Sequence, residues 1–222
     1  FIHHDGYKTV LLGLRNTAEI AMLGLLIGIV FGTVIATTRV IPRTNPVAKF
    51  FSGLSGLYVG LFRGTPIVVQ LLVFYYVLMP LMNLHMNSVA VAVVVFGMNS
   101  AAYISEIMRA GILSVDSGQM EGGRAIGLSY ATTMMKIVIP QAVKNILPTL
   151  GNEFISLIKE TSVVSFVGAM DLYVAFNRIG SNSYEFMIPY LVMALIYIVI
   201  VLIITLLIRL LERSLRKSDR RN

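Results

Sequence analysis

The sequence lacks cysteine and is poor in charged residues. None of its 222 residues is Cys, which excludes disulfides and thiolate chemistry. Only 13% of the residues are charged, whereas a soluble domain has about a quarter. Histidine is also scarce. The three histidines, His3, His4 and His85, lie outside the main apolar segments and lack metal-ligand spacing. The composition therefore predicts neither a metal site nor catalysis by cysteine.

The sequence instead contains long apolar runs, and 56% of its residues are hydrophobic. A membrane span needs roughly 20 mostly apolar residues. The pattern predicts an all-α integral membrane protein, a single domain over 1–222, with five transmembrane helices. The predicted spans are about 17–38, 65–82, 88–109, 141–160 and 185–208. In the first span, Gly24, Gly28 and Gly32 recur every fourth residue, a spacing typical of close helix packing.

The connections between these spans differ in character. Residues 39–49 contain two prolines and three basic residues and are predicted to form a loop. The stretch 50–62 is predicted to be a shallow or interfacial segment, and Pro66 suits the first turn of the helix that follows. Residues 110–140 are polar and rich in glycine, and 161–184 are mixed and predicted to be partly re-entrant.

The positions of Lys and Arg predict the orientation. With five spans, one side receives thirteen basic residues, distributed over 39–49, 109–144 and 209–222. The other side receives four, in 1–16 and 159–184, with none in 83–87. The richer side is predicted to be cytoplasmic, which puts the N-terminus outside and the C-terminus inside. The net charge of +7 is then a topology signal and gives no indication of a nucleic-acid partner.

The polar loop 110–140 contains a short helix motif. Asp116 followed by Gln119 fits a capping box that opens a helix. Gly127 can end the helix in a left-handed cap. The loop is thus predicted to present a short helix, about 117–126, at the cytoplasmic face.

This loop resembles the coupling loop of type I ABC-importer permeases. Glu121, Gly127, Ile137 and Pro140 match the spacing of the family's Glu-Ala-Ala, Gly and Ile-x-Leu-Pro pattern. Gly122-Gly123 replaces Ala-Ala, and Ile139 replaces Leu, so we expect a less rigid turn. The polar amino acid permeases are similar in further motifs: Phe62-Arg63-Gly64-Thr65-Pro66 with Gln70, Ala102 to Arg109, Gly151 to Ile155, and Lys159-Glu160-Thr161. The likeness covers about residues 10–215.

The resemblance implies a bacterial inner-membrane transport subunit that is not itself an enzyme. Such a permease works with a second permease copy, here expected to be identical, two cytoplasmic ATPase subunits and an external binding protein. The residues expected to couple to the ATPase are Glu121, Gly122, Gly123, Arg124 and Gly127. No G-x-x-x-x-G-K-[ST] loop is present, so ATP and Mg²⁺ are expected to be used by the partner and no cofactor by this chain.

Polar residues near the centres of the spans are the candidate solute ligands, because such groups are costly in a bilayer and often functional. They are Gln70, Gly97, Asn99, Asn152 and Glu153. For Asn99 and Gln70, hydrogen bonding that holds the bundle together is an equal alternative. Glu153 favours a solute role, because a carboxylate at that depth needs a cation. Asp171 is assigned either to the outer vestibule or to capping of a local helix.

Arg63 and Glu106 are predicted to form an ion pair with a structural or gating role. They lie at similar depth, since Arg63 opens the second span and Glu106 lies toward the inner end of the third.

The favoured function is import of a basic amino acid (arginine, lysine or histidine). Glutamine or another polar amino acid is the alternative, because Glu153 could bind the α-ammonium that all amino acids share. An ion-coupled secondary transporter would show internal repeats with broken spans, which fits poorly with one docking loop. An intramembrane enzyme would need a Ser/His dyad, paired aspartates or a metal cluster, and no His lies at span depth.

Overall fold

The computed structural model describes residues 6–41 and 45–219. Its regular elements there are all helical: α1 Gly6–Val40, α2 Pro46–Gly64, α3 Ile67–Leu81, α4 Ser88–Leu113, α5 Ser117–Ala125, α6 Tyr130–Val167, α7 Leu172–Ser183 and α8 Met187–Asp219. His3, His4 and residues 42–44 of the predicted loop lie outside the described residues.

The most extensive helix–helix contact in the described part of the chain is between α1 and α4, and glycines of α1 make this close packing possible. A Cβ atom added at Gly28 would lie 2.8 Å from the Ser100 Cβ, and one at Gly32 would lie 2.9 Å from Cγ2 of Ile104. Real Cβ atoms do not approach neighbours so closely, so the two backbones can meet only because these side chains are absent. The packing role predicted for the four-residue glycine spacing is confirmed.

The second predicted span is part of a sharply bent pair of helices. Asn45 caps α2, its Oδ1 accepting from the Ala48 N–H at 2.7 Å, and α2 continues to Gly64. The chain then turns by 105° into α3, with Pro66 directly before the first residue of that helix. The segment 50–62, predicted to be shallow or interfacial, lies within this regular 19-residue helix.

The sixth helix is also irregular. It contains a π turn at Met134–Val138 and ends in a 3₁₀ segment, Thr161–Val167, before a 56° bend into α7. A second π turn, Phe74–Leu78, lies in α3. Wider turns of this kind are common at functional sites in helices.

Within the described ranges, three helices, α1, α4 and α8, are long and apolar enough to cross a membrane, and the two bent pairs raise the number to as many as five. In α8, no residue of the most apolar 18-residue stretch is buried within the chain. Such an apolar helix needs lipid or protein around it. The molecule is an all-α, multi-pass membrane protein whose core lies where α1, α3, α4 and α6 meet.

Candidate solute site and loop helix

Glu153 lies on α6 against the middle of α4. Its Oε1 accepts a hydrogen bond from the Ser100 Oγ at 3.0 Å, and Ser100 is fully buried. Because Ser100 follows Asn99, this contact places Glu153 level with Asn99 along the helices. Within the described part of the chain, no Lys, Arg or His nitrogen lies within 4.0 Å of the half-buried Glu153 carboxylate.

Asn99 and Gln70 bond to each other and to the bend between α2 and α3. The Asn99 Nδ2 donates to the Gln70 Oε1 at 3.0 Å. The Gln70 Nε2 donates to the carbonyl oxygens of Phe62 at 2.8 Å and Thr65 at 3.0 Å. These carbonyls have no helical partner beyond the bend, so the two amides stabilise it. Of the two alternatives for these residues, the geometry favours the structural one.

Gly97 and Asn152 occupy different surroundings. A Cβ at Gly97 would lie 2.5 Å from Cγ2 of Ile27, so this glycine packs against α1. Next to Asn99, the Met98 carbonyl oxygen accepts a hydrogen bond from the Tyr58 hydroxyl at 2.6 Å. Asn152 is exposed on α6 beside Glu153.

Asp171 caps a helix. It is completely buried, and its Oδ1 accepts from the Val174 N–H at 2.9 Å at the start of α7. The same corner is fixed to α1, since the Asn16 Nδ2 donates to the Met170 carbonyl at 2.8 Å. Of the two roles left open by the sequence, the structure supports capping.

The predicted ion pair between Arg63 and Glu106 is wrong. The Glu106 Oε1 bonds to Nη1 of Arg39, and its Oε2 accepts from Nη2 of Arg109 at 2.8 Å. The Arg63 guanidinium lies instead over the ring of Tyr103, 5.4 Å from the centroid. The reason is that α1 extends to Val40, so that Arg39, predicted to begin a loop, is helical and reaches α4.

The short helix of the polar loop is present as α5. The Asp116 Oδ1 accepts from the Gly118 N–H at 2.6 Å, and Gly127 has a φ of +86°, as a left-handed cap requires. Gln119 does not complete the capping box, because its Oε1 accepts from Nε2 of Gln141. Both predicted helix ends are therefore correct, but Asp116 caps the start of the helix without the help of Gln119.

The predicted coupling residues divide into an exposed set and a packed one. Glu121, Gly122 and Arg124 are exposed, whereas Gly123 is buried against Thr133 of α6. Ile126, at the end of the helix, has 78% of its surface exposed.

A polar row on α6 was missed at the sequence level. Glu153, Thr149, Asn145 and Gln141 recur every fourth residue, which places them on one face of the helix. The Asn145 Nδ2 donates to the Oγ of Ser114, directly after α4, at 2.9 Å, and the Gln141 Nε2 donates to the Gln119 Oε1 of α5 at 3.2 Å. The four-residue spacing was the available signal. The row connects Glu153 with the short helix.

A bent helical bundle with a capped, exposed loop helix and a polar row along one helix has the features of a membrane permease. The family described as "Binding-protein-dependent transport system inner membrane component" matches residues 24–217, and the chain belongs to this family. It is therefore a transport subunit rather than an enzyme, and in this family the ATPase is a separate protein.

Curated relatives place the chain among amino acid permeases. The Bacillus subtilis arginine transport system permease protein ArtQ is 36% identical over 183 residues, which cover 82% of this chain and 81% of that one. A Rickettsia prowazekii protein named for a glutamine transport system, GlnP, is 35% identical with the same coverage. The Bacillus subtilis L-cystine transport system permease protein TcyB is 36% identical, covering 78% and 71%.

Solved structures agree with this assignment. The crystal structure of an amino acid ABC transporter with histidines has a TM-score of 0.86 and 36% identity, and covers 94% of both chains. The inward-facing MetNI methionine ABC transporter, at 16% identity and a TM-score of 0.79 over 96% of this chain and 98% of that one, shares the fold. The resemblance on which the sequence analysis depended is confirmed.

Proposed function

We propose that this amino acid permease imports a basic amino acid, with Glu153 binding its positive charge. The observation that carries the proposal is the environment of Glu153: the carboxylate is half-buried, and its hydrogen bond comes from the neutral hydroxyl of Ser100. A carboxylate removed from water needs a compensating cation. A guanidinium, ammonium or imidazolium group of the solute would supply that cation.

The alternative solute is glutamine or another polar amino acid, whose α-ammonium would be the cation at Glu153. The relatives are named for arginine, glutamine and cystine transport, and one solved transporter holds histidines. These names support an amino acid with a polar side chain.

We also propose the assembly in which this transport occurs. Two copies of the chain would form the pathway, each carrying one ATPase subunit on the cytoplasmic side, where ATP and Mg²⁺ are used, and a binding protein would deliver solute from outside. The loop helix α5 would dock on the ATPase. Its support is the exposed apolar side chain of Ile126 beside the exposed Glu121 and Arg124, a mixed surface suited to a protein partner.

The test is the uptake of arginine and glutamine into proteoliposomes by the complete complex with Glu153→Gln. The amide keeps the volume and can still bond Ser100, so the fold should survive. A lost charge-assisted hydrogen bond should lower the apparent affinity for arginine by roughly 10- to 150-fold, and that for glutamine by less. Glu19→Gln on α1 is the matched control, because Glu19 lies near Arg15 and far along the chain from this site.

Equal losses for the two amino acids would favour the α-ammonium alternative. Unchanged uptake of both would show that Glu153 is structural, and the assignment to basic amino acids would fail.

A further inference from the structure

On the side of Glu153 toward the start of α6, a cavity of about 490 Å³ opens between the end of α2, the end of α4 and the middle of α6. Its lining includes Arg63, Glu106, Ser114, Asn145 and Thr149. Two of these, Thr149 and Asn145, belong to the polar row that starts at Glu153. Each step of four residues advances about 6 Å along a helix. The row therefore leads from Glu153 into this cavity.

The charge in the cavity is unbalanced. Both oxygens of Glu106 are engaged, one by Arg39 and one by Arg109. Arg63 is exposed, and in the described ranges no carboxylate oxygen lies within 4.0 Å of its guanidinium, which lies over the Tyr103 ring. Because Arg39 and Arg109 already neutralise Glu106, the charge of Arg63 is left uncompensated at the cavity, which favours an anionic group. A free planar guanidinium suits a carboxylate, which it can bind with two parallel hydrogen bonds.

We infer that Arg63 forms an inner site that receives the α-carboxylate of the transported amino acid after it leaves Glu153. This inference rests on the proposed function, to which it adds a second position on the same route. The hydroxyl and amide oxygens of Ser114, Asn145 and Thr149 can accept from the ammonium of the same molecule. The volume suits a small zwitterion. Since every amino acid carries the α-carboxylate, this site contributes to binding without selecting a side chain.

The experiment measures equilibrium binding to the complex of permease and ATPase in nanodiscs, without nucleotide or binding protein. The probes are radiolabelled arginine and glutamine, with their decarboxylated analogues agmatine and 4-aminobutanamide. Arg63→Gln should weaken binding of the amino acids about tenfold or more and leave the analogues unchanged. Arg63→Lys, which keeps the charge but not the planar fork, should give an intermediate affinity for the amino acids. Arg213→Gln, at an exposed arginine of α8, is the matched control and should match the parent.

The outcomes separate this site from the proposed function. Loss in Glu153→Gln with parental binding in Arg63→Gln would overturn the inner site alone. Loss in Arg63→Gln with parental binding in Glu153→Gln would retain the inner site and overturn the role of Glu153. No saturable binding of either amino acid to the parent complex would contradict both.

The headgroup of an anionic lipid is the other anion that a guanidinium at a membrane surface can bind. Nanodiscs of phosphatidylcholine alone are therefore compared with nanodiscs that contain phosphatidylglycerol. An Arg63→Gln effect of equal size in both supports the amino acid. An effect that occurs only with phosphatidylglycerol would assign the guanidinium to the lipid and overturn the proposal.

Discussion

Glu106 is held by two guanidiniums that come from different helices. Its side chain is 17% exposed and that of Arg39 is 19% exposed, so both charges are largely out of water. Arg109, one turn further along α4, takes the second carboxylate oxygen. The carboxylate thereby bridges two cations that would otherwise repel each other, and it joins the end of α1 to α4. Removing it would leave two cations close together with little solvent to screen them.

We therefore expect Glu106→Gln to lower the free energy of unfolding by about 2–3 kcal/mol, less than the loss typical of a fully buried pair because the site is partly open. Arg39→Gln should lower it in the same direction, since it removes a partner of the same carboxylate. Thermal unfolding of the purified permease in detergent measures both. Arg63→Gln is the control for stability, because its guanidinium bonds to neither oxygen of Glu106. A loss in Arg63→Gln as large as that in Glu106→Gln would contradict the observed pairing.

At this scale, local features were predictable and distant ones were not. The capping by Asp116 and the left-handed Gly127 depend on neighbours within a few residues, so sequence alone indicated both. Arg39, the partner of Glu106 on α1, lies 67 residues away, and no periodicity links the two positions. The amide of Asn99 presented the same difficulty, since its partner Gln70 contacts it only after α3 has turned by 105°.

Among the helices, α5 shows how a pair of glycines can have unequal roles. The substitution of Gly122-Gly123 for Ala-Ala suggested a loosened turn. The structure gives a different reason for one of them, because a Cβ at Gly123 would lie 2.5 Å from Cγ2 of Thr133, whereas Gly122 faces open space. Gly123 also accepts from the Leu128 N–H at 3.1 Å. Gly123 thus lets α5 lie close to α6.

We predict that Gly123→Ala displaces α5 from α6 and lowers solute-stimulated ATP hydrolysis in the reconstituted complex severalfold. Gly122→Ala is the matched control and should preserve stimulation, while stabilising the helix by up to about 1 kcal/mol. ATPase rates with and without loaded binding protein measure the effect. Full stimulation in Gly123→Ala would mean that the position of α5 does not control the ATPase.

The same scale shows what the hydrophobic pattern could indicate about helices. Long apolar runs located α1, α4 and α8, because a bilayer span requires such runs. The start of α2 at Pro46 was not predicted, because the prolines and basic residues of 39–49 indicated a loop. The two π turns have no signature in residue type that separates them from α-helix, and they depend on how neighbouring turns pack.

For the whole molecule, the orientation in the membrane can be tested by labelling. The proposed orientation places α5 in the cytoplasm and the turn after α3 outside. Because the chain has no Cys, each introduced thiol is a single reporter. We expect His85→Cys to react with a membrane-impermeant maleimide in intact cells, and Ser117→Cys to react only after the membrane is permeabilised. Both positions are exposed, so burial does not account for a difference. The opposite labelling pattern would invert the proposed topology and the location of the ATPase with it.

The π turn at Met134–Val138 lies between Thr133, which packs against Gly123 of α5, and the part of α6 that carries Glu153. A π turn holds one more residue than an α turn, and one residue corresponds to about 100° of rotation around the helix axis. The turn therefore sets the angle, around the axis of α6, between the side of the helix that packs on α5 and the side that carries Glu153. A related chain with a plain α turn here could keep that angle only by moving its entire polar row by one position in the sequence. Between such chains, matched polar residues would then occupy shifted alignment columns and yet lie at the same point in space.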